Sequence, residues 1–287
     1  ERASRQHSTD EQRRQTGWIG GHKCEVILDR TLRMTHVPNG NRDDRVLLAG
    51  PQSRRRDLWL VLRTMMDFVR GFRRLHFVGP CVTVFGSARF TEDHPYYALG
   101  REVGAGLARL GFTVMTGGGP GLMEAANRGA KEAGGCSVAC NVQLPKEEDP
   151  NPYLDHSVQV HHFFVRKVLL FKYSYAFVAL PGGFGTMDEL FEALTLVQTG
   201  KIQSFPIVLM GTSYWRRLLH LIHRMEREGA ISADDLRLWL TTDDLEEALA
   251  HIRRHTVDRF GLLTRRMRRP SRILGEPRVA RRSAGPA

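Results

Sequence analysis

The sequence predicts an α/β protein: a Rossmann-like, doubly wound parallel sheet with helices on both faces and an N-terminal helical extension. Three observations predict it. Short apolar runs alternate with helical patterns from about residue 81 to about residue 255. Those runs are apolar throughout rather than at every second position, as strands covered on both faces must be. Three of them end in loops of small residues, and an open parallel sheet gathers such loops on its ligand-binding edge.

The elements follow in order. Residues 1–56 read as a basic, largely irregular arm with Gly-Gly, Pro-Asn-Gly and Arg-Arg-Arg runs. Within it, Cys24–Leu28 has the apolar content of a short strand. Residues 57–263 read as one domain. It opens with a helix over 57–74, carried by Leu58, Leu60, Val61, Leu62, Met65, Met66, Phe68, Val69 and Phe72, with Arg63, Arg70 and Arg73 on the wetter side. A strand at Cys81–Phe85 leads into Gly86-Ser87-Ala88-Arg89, then a helix from about Tyr96 to Leu110. A strand at Phe112–Met115 leads into Gly117-Gly118-Gly119-Pro120-Gly121 and a helix to about Ala133. Cys136–Val142 is a strand. A polar loop from Pro145 to Asp155 precedes a strand at Ser157–His161 and a helix from Arg166 to about Tyr173. The apolar run Tyr175–Leu180 is the next strand, and Pro181–Glu189 carries it into a helix marked by Leu190, Ala193, Leu194 and Val197. Strand Pro206–Met210, helix Tyr214–Arg227 and a last helix over 243–255 complete the domain. Residues 264–287 are Arg-rich, with Pro270 and Pro277, and read as a disordered tail.

A net charge of +11 suggests nucleic acid, but its distribution argues otherwise. Residues 1–56 hold 12 Lys/Arg against 7 Asp/Glu, and residues 264–287 hold 8 Arg against 1 Glu. Of the 42 basic and 31 acidic residues, 22 and 23 remain for the body, which is therefore balanced. No aromatic-basic stripe accompanies the charge. No apolar run approaches the roughly 20 residues that span a bilayer, and Glu1–Arg5 lead into no leader-like apolar stretch. The first residue is not Met. Cys24, Cys81, Cys136 and Cys140 form no C-x-x-C pair and read as reduced thiols of a cytoplasmic protein.

Chemistry concentrates at Pro181-Gly182-Gly183-Phe184-Gly185-Thr186-Met187-Asp188-Glu189. A glycine-rich turn between strand and helix offers backbone N–H groups at the positive end of a helix dipole, which suits a phosphate. Thr186 adds a hydroxyl. Glu189 lies one turn into the helix, and a carboxylate does nothing for an anion, so it points to a chemical or hydrogen-bonding task. The loops at Gly86–Arg89, with Ser87, and at Thr116–Gly121 belong to the same edge, so all three read as one nucleotide-phosphate cradle. The dinucleotide fingerprint is missing after the first strand, and no Gly-Lys-Ser/Thr closes either glycine loop. Arg166-Lys167 stand at the start of a helix, where paired positive charges oppose the dipole and call for a reason beyond stability.

These residues carry a resemblance. Arg166-Lys167 followed by Pro181–Glu189 resembles the P-G-G-x-G-T-x-x-E signature of the Lonely Guy (LOG) family, and Thr116–Glu124 resembles that family's other glycine loop. The resemblance covers residues 80 to 225 or so. It implies a phosphoribohydrolase without cofactor or metal, which cleaves the N-glycosidic bond of cytokinin riboside 5′-monophosphates, of AMP, or of both. Some members have been labelled lysine decarboxylases, although no pyridoxal-phosphate lysine motif is evident here. Carried across, Arg166 and Glu189 match the catalytic pair and Lys167 its neighbour, while Gly182, Gly183, Gly185 and Thr186 match the phosphate loop. Gly118, Gly119, Gly121 and Ser87 join the substrate-binding set. Glu124 either faces the ribose or base or complements its helix dipole. Phe163, Phe164 and Val165 stand where smaller members often carry Met. With the N-terminal helix and basic tail, they look more like the larger bacterial subgroup, which tends toward higher oligomers. The implied partners are a small nucleoside monophosphate and further copies of the chain, with no membrane and no nucleic acid.

Other candidates are read as structural. His161-His162 suit packing or the surface, and the Phe163, Phe164, Phe171 cluster suits the core or an interface rather than a base-stacking platform. Glu147 and Glu148 suit a solvated loop. Arg89 stands where it could touch phosphate. His220 and His223 share a helix face but lack a third ligand for zinc. The competing reading is a nucleotide sensor of the same fold without turnover, which could keep the glycine loops without needing Glu189.

Overall fold

The computed structural model describes residues 16–19, 22–25, 50–51, 53–143, 150–202 and 205–260. Residues 1–39 and 40–287 are two separate units. In the first, strands β1 (Thr16–Ile19) and β2 (His22–Glu25) pair antiparallel. The expected strand at Cys24–Leu28 overlaps β2 by two residues, and 26–28 lie outside the described residues. So do most of the arm, the loop with Glu147 and Glu148, and the tail.

The second unit begins with α1 (Arg54–Leu75). It continues through β3 (Cys81–Phe85), α2 (Pro95–Arg109), β4 (Thr113–Thr116), α3 (Leu122–Glu132), β5 (Ser137–Val142), β6 (His156–Val160) and α4 (Phe163–Tyr173). It closes with β7 (Ser174–Ala179), α5 (Phe184–Gln198), β8 (Ile207–Met210), α6 (Thr212–Arg227), a 3-10 turn at Ala233–Arg237, β9 (Trp239–Thr242) and α7 (Leu245–Phe260). The sheet is the expected doubly wound one. Its seven strands run in the order β6-β5-β4-β3-β7-β8-β9, every pair parallel. The chain winds outward from β3 in one direction, then returns to β7 and winds the other way. The switch point lies between β3 and β7, where such sheets open a ligand crevice.

Alternate strand residues feed two cores, as the two-residue period requires. Cys81, Phe85, Phe177 and Ala179 face one layer with Leu75 of α1, Val165 and Leu169 of α4, Leu190 of α5 and Trp215 of α6. Val82, Val84, Ala176 and Val178 face the other with Leu107 of α2, Ala126 of α3 and Ile252 of α7. Each fully buried leucine or isoleucine in these layers contributes roughly 1.5–3 kcal/mol. Among the described residues, no helix is long and apolar enough to cross a membrane.

Three expectations are corrected. β9 and the 3-10 turn were not foreseen: β9 is a four-residue, half-buried edge strand, too short for its pattern to register. Helix α4 begins at Phe163, so Arg166 and Lys167 sit about one turn inside it, past the strongest part of the dipole. The faces of α1 also differ from expectation. Its arginines are exposed, but so are Leu58, Trp59, Val61, Leu62, Met65, Met66, Val69 and Phe72. What α1 buries against the body is the opposite face, with Asp67, Gly71 and Leu75.

Candidate active site

The three glycine-rich loops meet at the switch point, and backbone hydrogen bonds of Ser87 lace them together. Its N–H donates to Pro181 O at 3.0 Å, and its carbonyl accepts from Leu122 N at 2.9 Å. Its hydroxyl accepts from Arg89 N at 3.1 Å. Ser87 therefore ties the loop after β3 to both of the others. Gly121 makes that approach possible. It has φ +70°, and a Cβ there would lie 2.4 Å from Ser87 O. At Gly182 an added Cβ would lie 2.1 Å from Thr186 Oγ1, so this glycine makes room for the threonine of its own loop. Tyr214 of α6 donates to Gly182 O at 2.6 Å and braces the loop from outside.

Both loops end at helix starts. Gly121 is the N-cap of α3 and Gly183 the N-cap of α5, and neither helix has a side-chain cap. The first turn of α5 carries no acidic residue. Its opening N–H groups and dipole are thus directed at the crevice without a competing anion. A Cβ at Gly183 or Gly185 would meet nothing within 4 Å, so their surroundings are open space.

The loop around Gly118 and Gly119 rests on a buried polar network. Thr116 Oγ1 donates to Asn127 Oδ1 at 2.6 Å and accepts from Gly118 N at 3.0 Å. Asn127 Nδ2 donates to Ser137 Oγ at 2.8 Å. Asn151 donates to Asn127 Oδ1 at 3.0 Å and to the carbonyls of Gly118 and Gly119 at 3.3 and 3.2 Å. Sequence reasoning missed both asparagines. The only local signal was a polar residue among Ala125, Ala126, Gly129 and Ala130 on a buried helix face.

Arg166 and Glu189 come together here. The guanidinium Nη2 stands 3.5 Å from Glu189 Oε1. Arg166 also lies over the Phe163 ring at 5.2 Å, and a Cβ at Gly117 would be 3.6 Å from its Nη1. It thus spans from the second glycine loop to the helix that follows the third. Glu189 is 1 % exposed, and neither carboxylate oxygen has a hydrogen bond. Burial pushes its pKa above the ordinary carboxylate value, although Arg166 and Lys167 pull the other way. Cys140 of β5 feels both charges, and burial pushes its thiol up to about 12. A dry, unbonded carboxylate beside a cation is a costly arrangement for stability. It is a common one for proton transfer or for stabilising a developing positive charge.

The remaining expected residues are placed as follows. Lys167 is held by Asp188 at 2.9 Å and Glu192 at 2.5 Å, so it links α4 to α5. Glu124 accepts from the Tyr97 hydroxyl at 2.9 Å, which gives its carboxylate a protein partner at the start of α3. Phe163 and Phe164 are exposed near Arg166, and Phe184, at the tip of the third loop, is 96 % exposed. Phe171 packs against the core.

A family model described as "Possible lysine decarboxylase" matches residues 123–252. The cytokinin riboside 5′-monophosphate phosphoribohydrolase of Rhodococcoides fascians is 32 % identical over 178 residues, covering 60 % of this chain and 88 % of that protein. The chain belongs to the LOG family. An Arabidopsis thaliana member with the same enzyme name is 30 % identical over 157 residues, covering 53 % and 71 % of the two chains. Among solved structures, TM1055 aligns with a TM-score of 0.46 at 27 % identity, covering 61 % of this chain and 98 % of that one. The molybdenum cofactor carrier protein of Chlamydomonas reinhardtii aligns with a TM-score of 0.45 at 22 % identity, covering 62 % and 98 %. The matched regions thus account for 88 % and 71 % of these two LOG relatives.

Proposed function

We propose that this chain hydrolyses the N-glycosidic bond of adenosine-type nucleoside 5′-monophosphates, releasing the free base and ribose 5-phosphate. Its substrates are a cytokinin riboside 5′-monophosphate, AMP, or both. The observation that carries this reading is Glu189: a buried carboxylate without a hydrogen bond, 3.5 Å from Arg166, between two loops suited to phosphate. In the reaction the C1′–N bond breaks, its electrons leave with the base, and the base takes up a proton. Water adds to C1′ and loses one. The ribose passes through an oxocarbenium-like state, which a nearby carboxylate stabilises while it orients or deprotonates the water. Glu189 is the group for that task. The first turn of α5, with Thr186, holds the 5′-phosphate, and Arg166 binds that phosphate or orients Glu189.

The same reading includes self-association. Eight exposed apolar side chains along α1 exceed the scattered apolar residues of an ordinary surface. The helix packs beside α4, where Phe164 and Val168 are also exposed. A second copy of the chain is the partner we assign to this face. Light scattering on the full chain tests it: Met65→Glu together with Val69→Glu gives a smaller species, and an unchanged mass refutes the assignment.

Activity is tested by incubating the purified protein with AMP and with isopentenyladenosine monophosphate, then assaying base and ribose 5-phosphate. Release by the wild type and loss in Glu189→Ala is the expected result. Equal release by both would refute the role of Glu189. Tight AMP binding without release from any purine or pyrimidine monophosphate would instead identify a sensor.

A further inference from the structure

The geometry points to Asp67, on α1, as a positioning residue for Arg166, an inference that rests on the functional reading of the Arg166–Glu189 pair. Asp67 is the one carboxylate that α1 buries, on the face opposite its apolar stripe. It accepts from the backbone N–H of His161 at 3.0 Å. The His161 ring nitrogen Nδ1 lies 2.9 and 3.1 Å from its two oxygens. His162 Nδ1 stands 3.5 Å from Oδ2. These two histidines are the residues immediately before α4, and His162 is its N-cap. Arg166 N donates to His162 O at 3.2 Å, so the first backbone bond of α4 runs from the arginine to the residue that Asp67 faces.

The placement answers a problem set by the sequence. Helix α4 starts without a side-chain cap and has no acidic residue in its first turn. The orphan N–H groups and positive dipole end of such a start favour a nearby anion. Asp67 supplies that anion from another helix. The contact is rigid rather than incidental. Gly71, one turn further along α1, lets the two helices close: a Cβ there would lie 2.4 Å from Leu169 Cδ1 of α4. Burial opposes the Asp67 charge, yet the His161 backbone and ring bonds outweigh it and hold the carboxyl below its ordinary pKa. Asp67 touches neither the crevice nor Glu189. Its effect passes through the first turn of α4, which sets where the guanidinium points.

The experiment is a double-mutant cycle on the full chain. Asp67→Asn keeps the shape and removes the charge. It is made in the wild type and in Arg166→Lys, and all four proteins are assayed for base release from AMP, with melting curves. We expect kcat/KM to fall about tenfold or more in the wild-type background and less than about twofold in the Arg166→Lys background. A loss that is merely structural would be the same in both. Equal losses, or no loss in the wild-type background, overturn the inference. His161→Phe removes the ring bond to Asp67 and keeps the backbone one, and gives the same pattern at smaller size, which keeps the test available if Asn at 67 does not fold. If the wild type releases no base, it is the functional reading that fails. The cycle is then read in AMP affinity, where the same non-additivity is expected and additive losses overturn the positioning role.

Discussion

Glu189→Gln should make the protein more stable while it removes activity. The carboxylate is 1 % exposed and accepts no hydrogen bond, so ionisation costs several kcal/mol of hydration. Arg166 repays part of that. At 3.5 Å, with an effective dielectric of about 20, the attraction is about 5 kcal/mol. The raised pKa says that burial wins the contest. The charge therefore carries a net penalty that a neutral glutamine does not. For a domain of this size each 1 kcal/mol recovered raises Tm by about 2–4 °C. The pH dependence has a definite sign. Below the unfolded-state pKa, near 4.5, both states hold the proton and there is no penalty. As pH rises, the unfolded chain loses its proton first, and the penalty grows until the folded carboxyl has also ionised. The Tm gap between variant and wild type should thus widen as pH rises above 4.5 and close as pH falls toward it. Differential scanning fluorimetry across that range measures it, and base release from AMP should fall about 10²–10⁴-fold in parallel. A variant that melts below the wild type at pH 8 would show that the charge stabilises the fold, and the argument from its unbonded burial would be wrong.

Two further substitutions separate glycines that shape the site from glycines that face the ligand. Gly121→Ala forces a Cβ to 2.4 Å from Ser87 O at φ +70°, so it should cost roughly 1–3 kcal/mol and lower Tm. An unchanged Tm would mean that the loop tolerates the shift. Gly185→Ala meets no atom within 4 Å, so Tm should hold or rise slightly while KM for AMP increases at least about tenfold. An unchanged KM would place the phosphate elsewhere. Asn127→Ala strips partners from Thr116, Ser137 and Asn151, and should cost about 2 kcal/mol or roughly 4–8 °C in Tm. A Tm within about 1 °C of wild type would show that those groups find other partners.

Legibility followed the range of the interactions. The third glycine loop was readable because its chemistry is local: turn, helix start, hydroxyl and carboxylate occupy the nine residues Pro181–Glu189, directly after a strand. The parallel sheet was readable because double burial removes polar residues from whole strands. The pairing of Arg166 with Glu189 was not local, and only the family resemblance brought the two positions together. The polar supports were silent for the same reason. Asp67 meets its histidine across 94 positions, and Asn151 reaches the second glycine loop across 33. A lone Asp on an apolar helix reads as an ordinary wet position until its partner is known.

Helix α1 shows where periodicity stops being informative. Its sequence reports an apolar face and a basic flank, and the usual inference turns the apolar face inward. That inference assumes that the rest of the same chain supplies the cover. Here the body takes the face with Asp67, Gly71 and Leu75, and the larger apolar stripe stays exposed. Both faces then have reasons to be what they are. The inner one holds the start of α4 through a carboxylate and a close helix contact. The outer one is the apolar stripe that we propose a second copy covers. A perturbation of the stripe should therefore reach Arg166 in part through Asp67. In the Met65→Glu, Val69→Glu variant, whatever activity is lost with assembly should be lost to a smaller degree when Asp67→Asn is already present. Additive losses would mean that the two faces of α1 act independently.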